Sequence, residues 1–336
     1  MDPESNRLYV SQLALPRGPQ RFTHLGVAAA IVPWNFPILL AVGKVTSALI
    51  TGNCIISKPS PFTPYYALKL AELAIPFFPK GVVQALSGDD SLEPLFTQHP
   101  GIRKIDFTGS TETGKLVATA FVQVLKHCTL ERGGGIDLAL ICEDMEIDHL
   151  VKKIIHGGIC VAIERVYFRD SIYEDLRHKV VALVKYLPIG KGTDPGVFFG
   201  PVQNHMHYSK ARNLLVSVAS DGLTIALKCT PADSAGHFIP PTVVENTPDD
   251  SRLIVEEPFA PILPLMKWST EEEVIGRASF GATGLGGSVW CRDLHWAKRL
   301  ARRISTGSVW VNSHFSVEPH GPEYCNSQSI WLCNNV

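Results

Sequence analysis

Short apolar runs recur along the first third of the chain, and stretches of helical periodicity lie between them. GVAAAIV (26–32) is rich in small and β-branched residues, as expected of a strand buried on both faces of a parallel sheet. The turn PWNFP follows, and Leu39 to Thr51 reads as a helix that Gly52 stops. CIIS (54–57) predicts a second strand, Tyr65 to Ile75 a second helix and Val82 to Leu86 a third strand. Lys104 to Phe107 predicts a fourth strand, followed by the turn GSTETG and a further helix. This alternation argues for an α/β fold with a doubly wound parallel sheet.

The glycine cluster GGG (133–135) marks a boundary after Glu131. Beyond it, LALIC (138–142), Arg165–Phe168, Leu285–Trp290 and Gly307–Val311 read as strands. Helices are expected from about Asp148, over Asp175–Val184 and over Leu294–Ile304, with a long Gly- and Pro-rich loop from Leu187 to Asn204. The expected organisation is a first α/β domain over 1–130, a second α/β domain over 131–316 and a tail over 317–336.

Composition narrows the chemistry. With 31 Lys and Arg against 32 Asp and Glu, the net charge is −1 and no basic block stands out, which argues against a nucleic-acid partner. The apolar stretch Leu25–Val42 carries Pro33, Asn35 and Pro37 near its middle, which argues against a membrane span. The N-terminus MDPESNRLYV is polar and lacks the apolar core of a signal peptide. None of the eight cysteines forms a CxxC pair or lies at zinc-ligand spacing from a histidine. No metal is expected, and scattered thiols suit a reducing, cytoplasmic setting.

GSTETG (109–114) is a Gly-x-x-x-x-Gly turn between strand and helix, a place where a helix N-terminus favours phosphate. A generic dinucleotide reading takes the acid about twenty residues on, Glu131, as a ribose ligand. VPWNFP (32–37), GNCIISKPSPFTP (52–64), FTGSTETGK (107–115), LERGG (130–134), CVAIERVY (160–167), FFGPVQN (198–204), EEPFAP (256–261) and SVWVN (308–312) occur in this order. With these motifs the chain resembles the aldehyde dehydrogenase superfamily from about Leu25 to about Pro322.

The resemblance implies a Rossmann-type cofactor domain followed by a catalytic domain. It also implies oxidation of an aldehyde to a carboxylic acid with NAD or NADP. Cys160 matches the nucleophile, whose thiolate attacks the carbonyl and later leaves a thioester. Asn35 matches the oxyanion-hole donor. Glu131 matches the general base that activates water, which displaces the ribose assignment. Lys58 matches the adenosine-ribose ligand, and Gly109 and Ser110 match the pyrophosphate turn. Trp34 lines the same cleft, and Glu257 with Phe259 matches the pair at the nicotinamide ribose. Most members that prefer NAD carry an acid three residues after the lysine. That position is Pro61 here, so the choice between NAD and NADP stays open.

The chain departs from the pattern at several points. IIHGGIC (154–160) replaces F-x-N-x-G-Q-x-C, Arg132 replaces an apolar residue, Ala260 replaces glycine, and EYCNSQSIWLCNNV ends the chain. Few residues precede Pro33, so a homo-oligomer built on terminal arms is expected to be weakened. The alternative is a relative that keeps the fold and nucleotide binding but is catalytically impaired.

Overall fold

The computed structural model describes residues 23–133, 137–146, 150–151, 154, 162–230, 236–280 and 284–314. Strands β1 (Val27–Ile31), β2 (Cys54–Lys58), β3 (Val83–Ala85), β4 (Ile102–Gly109) and β5 (His127–Arg132) form one sheet in the order β3-β2-β1-β4-β5. Every pairing in it is parallel. Helices α1 (Pro37–Ile50), α2 (Tyr65–Ala74), α3 (Leu92–Gln98) and α4 (Thr111–Val124) make the crossovers. Ala29, Ala30 and Ile105 are fully buried, which explains why these strands read as continuous apolar runs. The strand order reverses at β1 and β4, and ligands of such sheets settle outside the carboxyl ends of the strands at that reversal.

A second sheet has the order β12-β11-β6-β7-β10-β9-β8. Its strands are β6 (Asp137–Ile141), β7 (Ile163–Arg169), β8 (Thr224–Lys228), β9 (Thr242–Glu245), β10 (Ile262–Trp268), β11 (Gly286–Trp290) and β12 (Ser308–Val311). All pairs are parallel except β8 with β9. Helices α5 (Tyr173–Tyr186), α6 (His205–Ser220), α7 (Arg252–Val255), α8 (Glu271–Ala278) and α9 (Leu294–Ala301) cover it.

Period-two alternation sorts β6 between the two faces. Ala139 and Ile141 pack with Leu176 and Val180 of α5, whereas Leu138 and Leu140 pack with Val274 of α8 and Leu300 of α9. β5 escaped the sequence pattern because HCTLER is half polar, so Glu131 sits on a strand rather than at a loop end. The segment read as a helix from about Asp148 lies largely outside the described residues; within it Leu150, Val151 and Ile154 are buried. Among the described residues no helix is long and apolar enough to cross a membrane.

Candidate active site

β1 and β4 lie side by side at the strand reversal, so the segments leaving their carboxyl ends emerge next to each other. From β1 come Pro33, Trp34 and Asn35; from β4 come Gly109 and Ser110. The next strand along, β5, ends in Glu131 and Arg132, with Thr108 opposite Glu131 in the ladder. Pro33, Trp34, Asn35, Thr108, Gly109, Ser110 and Glu131 line a cavity of about 340 Å³, and its far wall comes from the second sheet's half of the chain: Asn204, His207, Lys210, Glu257, Phe259 and Leu285. The cavity is thus a crevice between the two α/β halves.

Glu131 is held from its own sheet. Thr108 Oγ1 donates to Glu131 Oε2 at 2.9 Å. The backbone beyond it is tied to the neighbouring turn, because Gly133 N donates to Gly109 O at 2.6 Å and Thr111 Oγ1 donates to Gly133 O at 2.7 Å. A Cβ on Gly133 would come within 3.2 Å of Gly109 O, so a larger residue would force the two segments apart. Ser110 caps α4, its Oγ accepting from Thr113 N at 3.2 Å. The open N-terminus of that helix presents its dipole at the cavity edge.

Aromatic rings from both sides meet in the crevice. Trp34 meets Phe259 edge-on at 5.2 Å between ring centroids, and His207 lies 5.4 Å from Trp34 and 5.8 Å from Phe259. Burial holds the His207 imidazole below its usual pKa. Lys210 Nζ donates to Glu257 O at 3.0 Å. Behind this wall lie two buried acids. Asp137 is raised to about 8 by burial, although Gly286 N donates to its Oδ1 at 2.7 Å. Glu164 is raised well above the carboxylate range, first by burial and then by the nearby Glu257 and Asp137.

The structure brings Asn35, Glu131, Trp34, Gly109, Ser110, Glu257 and Phe259 to one cavity. Lys58 is not among the lining residues. It is 2% exposed, and its Nζ pairs with Glu93 Oε1 on α3 at 2.9 Å. Cys160 lies outside the described residues, as does the tail after His314. Sequence reading missed His207 and Lys210. The signal was available: Asn204 caps α6, so residues 204, 207 and 210 recur every three positions and share one side of that helix. It also missed Glu164 and Asp137, strand residues whose role only burial reveals.

Comparison with known proteins identifies the family. The profile of the aldehyde dehydrogenase family matches residues 20–326. An aldehyde dehydrogenase of Fusarium is 37% identical over 313 residues, covering 91% of this chain and 66% of the relative. The phenylacetaldehyde dehydrogenase of Pseudomonas fluorescens is 36% identical over 307 residues, covering 89% and 61%. Among solved structures, the betaine aldehyde dehydrogenase of Staphylococcus aureus in complex with NAD+ superposes with a TM-score of 0.85 at 30% identity, covering 89% of this chain and 61% of that one. The chain therefore spans less than two thirds of the length of these relatives.

Proposed function

Because the chain belongs to the aldehyde dehydrogenase family, we propose that it oxidises an aldehyde to a carboxylic acid, with NAD or NADP as electron acceptor, in the crevice between its two sheets. The observation that carries this reading is the convergence of Asn35, Glu131, Ser110, Glu257 and Phe259 on one cavity from both halves of the chain.

The donor set suits a dinucleotide. A helix N-terminus with a glycine turn at Gly109–Ser110 complements a pyrophosphate. The Glu257 carboxylate is an acceptor for ribose hydroxyls, and the Trp34–Phe259 wall offers apolar faces to a planar ring. When bound, the nicotinamide supplies the acceptor for the two electrons and one hydrogen that leave the aldehyde carbon.

The rest is the chain's own chemistry. Cys160 as thiolate adds to the aldehyde carbon, and the Asn35 amide donates to the oxygen that becomes negative. Such a donor is typically worth about 3 kcal/mol of barrier. Loss of hydrogen from that carbon leaves a thioester on Cys160. Glu131, fixed by Thr108, takes a proton from water as the water attacks the thioester; the acid departs and the thiol returns. This thiol chemistry suits a reducing compartment, and we assign the chain to the cytoplasm on that ground.

The test is purified chain with NAD+ or NADP+ and a panel of aliphatic and aromatic aldehydes, followed by absorbance of the reduced nicotinamide. Absorbance should grow only with both aldehyde and nucleotide present. Cys160→Ser should lower the rate on the order of a thousandfold or more while nucleotide still binds. Turnover that survives this substitution would overturn the assignment.

A further inference from the structure

Phe259 has a backbone φ of 49°, in the left-handed region that non-glycine residues rarely occupy. A residue in that region persists only where its surroundings over-determine it. Its side chain is nonetheless central to the cavity wall, touching both Trp34 and His207. What holds its backbone is Glu164: the Phe259 N–H donates to Glu164 Oε1 at 3.2 Å, across 95 residues of sequence. Glu164 lies on β7, is 2% exposed, and its second oxygen, Oε2, has no hydrogen-bond partner among the described residues. An acid placed this deep for packing alone would be a poor choice, because an apolar residue of similar size would avoid the desolvation of both oxygens.

We propose that Glu164 is a positioning residue for the crevice: from behind the wall it accepts the Phe259 N–H, fixes the strained turn Glu257–Phe259, and so sets the face that Trp34, His207 and Phe259 present to a ligand. The part of this that concerns nucleotide rests on the function proposed above. Burial favours the uncharged form of the Glu164 carboxyl. It is enclosed, and the carboxyls of Glu257 and Asp137 lie near it, so a further negative charge is disfavoured. Glutamine is the neutral isostere of that state and keeps the acceptor oxygen, whereas alanine removes it.

The experiment compares the full chain with Glu164→Gln and Glu164→Ala in two readouts. The first needs no ligand. It is the emission of Trp34, obtained as the difference between each protein and its Trp34→Phe counterpart, together with quenching of that emission by acrylamide. The second is the dissociation constant for NADH. For Glu164→Ala we expect red-shifted, more quenchable Trp34 emission and NADH binding weakened about tenfold, the order set by loss of one buried hydrogen bond. Glu164→Gln should restore both to within about threefold of the parent. Should Glu164→Ala fail to fold, Glu164→Gln decides alone: parent-like emission and binding support the proposal, and a tenfold loss overturns it. Alanine matching the parent in Trp34 emission, or glutamine no better than alanine in a folded sample, also overturns it. If the parent itself binds no NADH, the nucleotide reading falls, and the Trp34 comparison still decides the positioning role.

Discussion

Lys58 and Glu93 show how a single residue's setting differs from its motif. The local pattern offers Pro61 where an acid would accompany the lysine, yet a carboxylate stands against Lys58 all the same, from α3, 35 residues along the chain. If Lys58 meets the adenosine ribose, Glu93 sets a negative charge where the 2′-phosphate of NADP would lie. Glu93→Gln should therefore raise the affinity for NADP+ relative to NAD+ by roughly threefold to tenfold, as measured by titration of both nucleotides. An unchanged ratio would show that Glu93 serves only to bury the lysine. Motif reading could not have found this acid, because ion pairing across an α/β crossover leaves no trace in local spacing. Asn35, Glu131 and Ser110 were legible through the motifs PWNFP, LERGG and GSTETG, and the topology carries the segments at the carboxyl ends of β1, β5 and β4 to one crevice. His207 and Lys210 were missed although the Asn204 cap marks the helix start, since HMHYSK gives little apolar pattern to show which side is covered.

At the scale of elements, the close packing of β11 on β6 depends on small residues. Gly286 N donates to Asp137, and a Cβ at Gly286 would sit 2.4 Å from Asp137 Oδ2 and 2.8 Å from the Trp310 ring. Gly286→Ala should cost about 1–3 kcal/mol of unfolding free energy, the usual penalty of overpacking, in urea denaturation. A loss below about half a kcal/mol would mean that β11 and β12 shift apart freely. β1, β2, β6 and β11 were legible for the same reason that this packing is tight: covered on both faces, they spell apolar runs, whereas the parallel strands β5, β9 and β10 went unread. β8 was not, because it is an antiparallel edge strand on which Thr224, Ile225 and Lys228 are exposed.

The second half of the chain buries two acids, Asp137 and Glu164, on neighbouring strands. Burial raises Asp137 to about 8, so between its ordinary pKa and about 8 the folded chain keeps a proton that the unfolded chain has released. Stability is greatest below that window and is lost as pH rises through it, by at most about 1.4 kcal/mol per pH unit from this group. Asp137→Asn keeps the acceptor for Gly286 N and removes the titration. Its stability relative to the parent should therefore grow steadily from about pH 5 to about pH 8, in urea midpoints taken across that range. A constant difference would show that Asp137 carries its charge without penalty in the fold. The proposed function is covalent aldehyde oxidation in the crevice between the halves, with Cys160 as nucleophile and Glu131 as the base that releases the product. The most direct measurement is the mass of the Cys160 peptide from Glu131→Gln after incubation with aldehyde and NAD+ or NADP+. An acyl adduct should accumulate on Cys160 because water is not activated; an unmodified Cys160 in a variant that still reduces the nucleotide would rule out the thioester route.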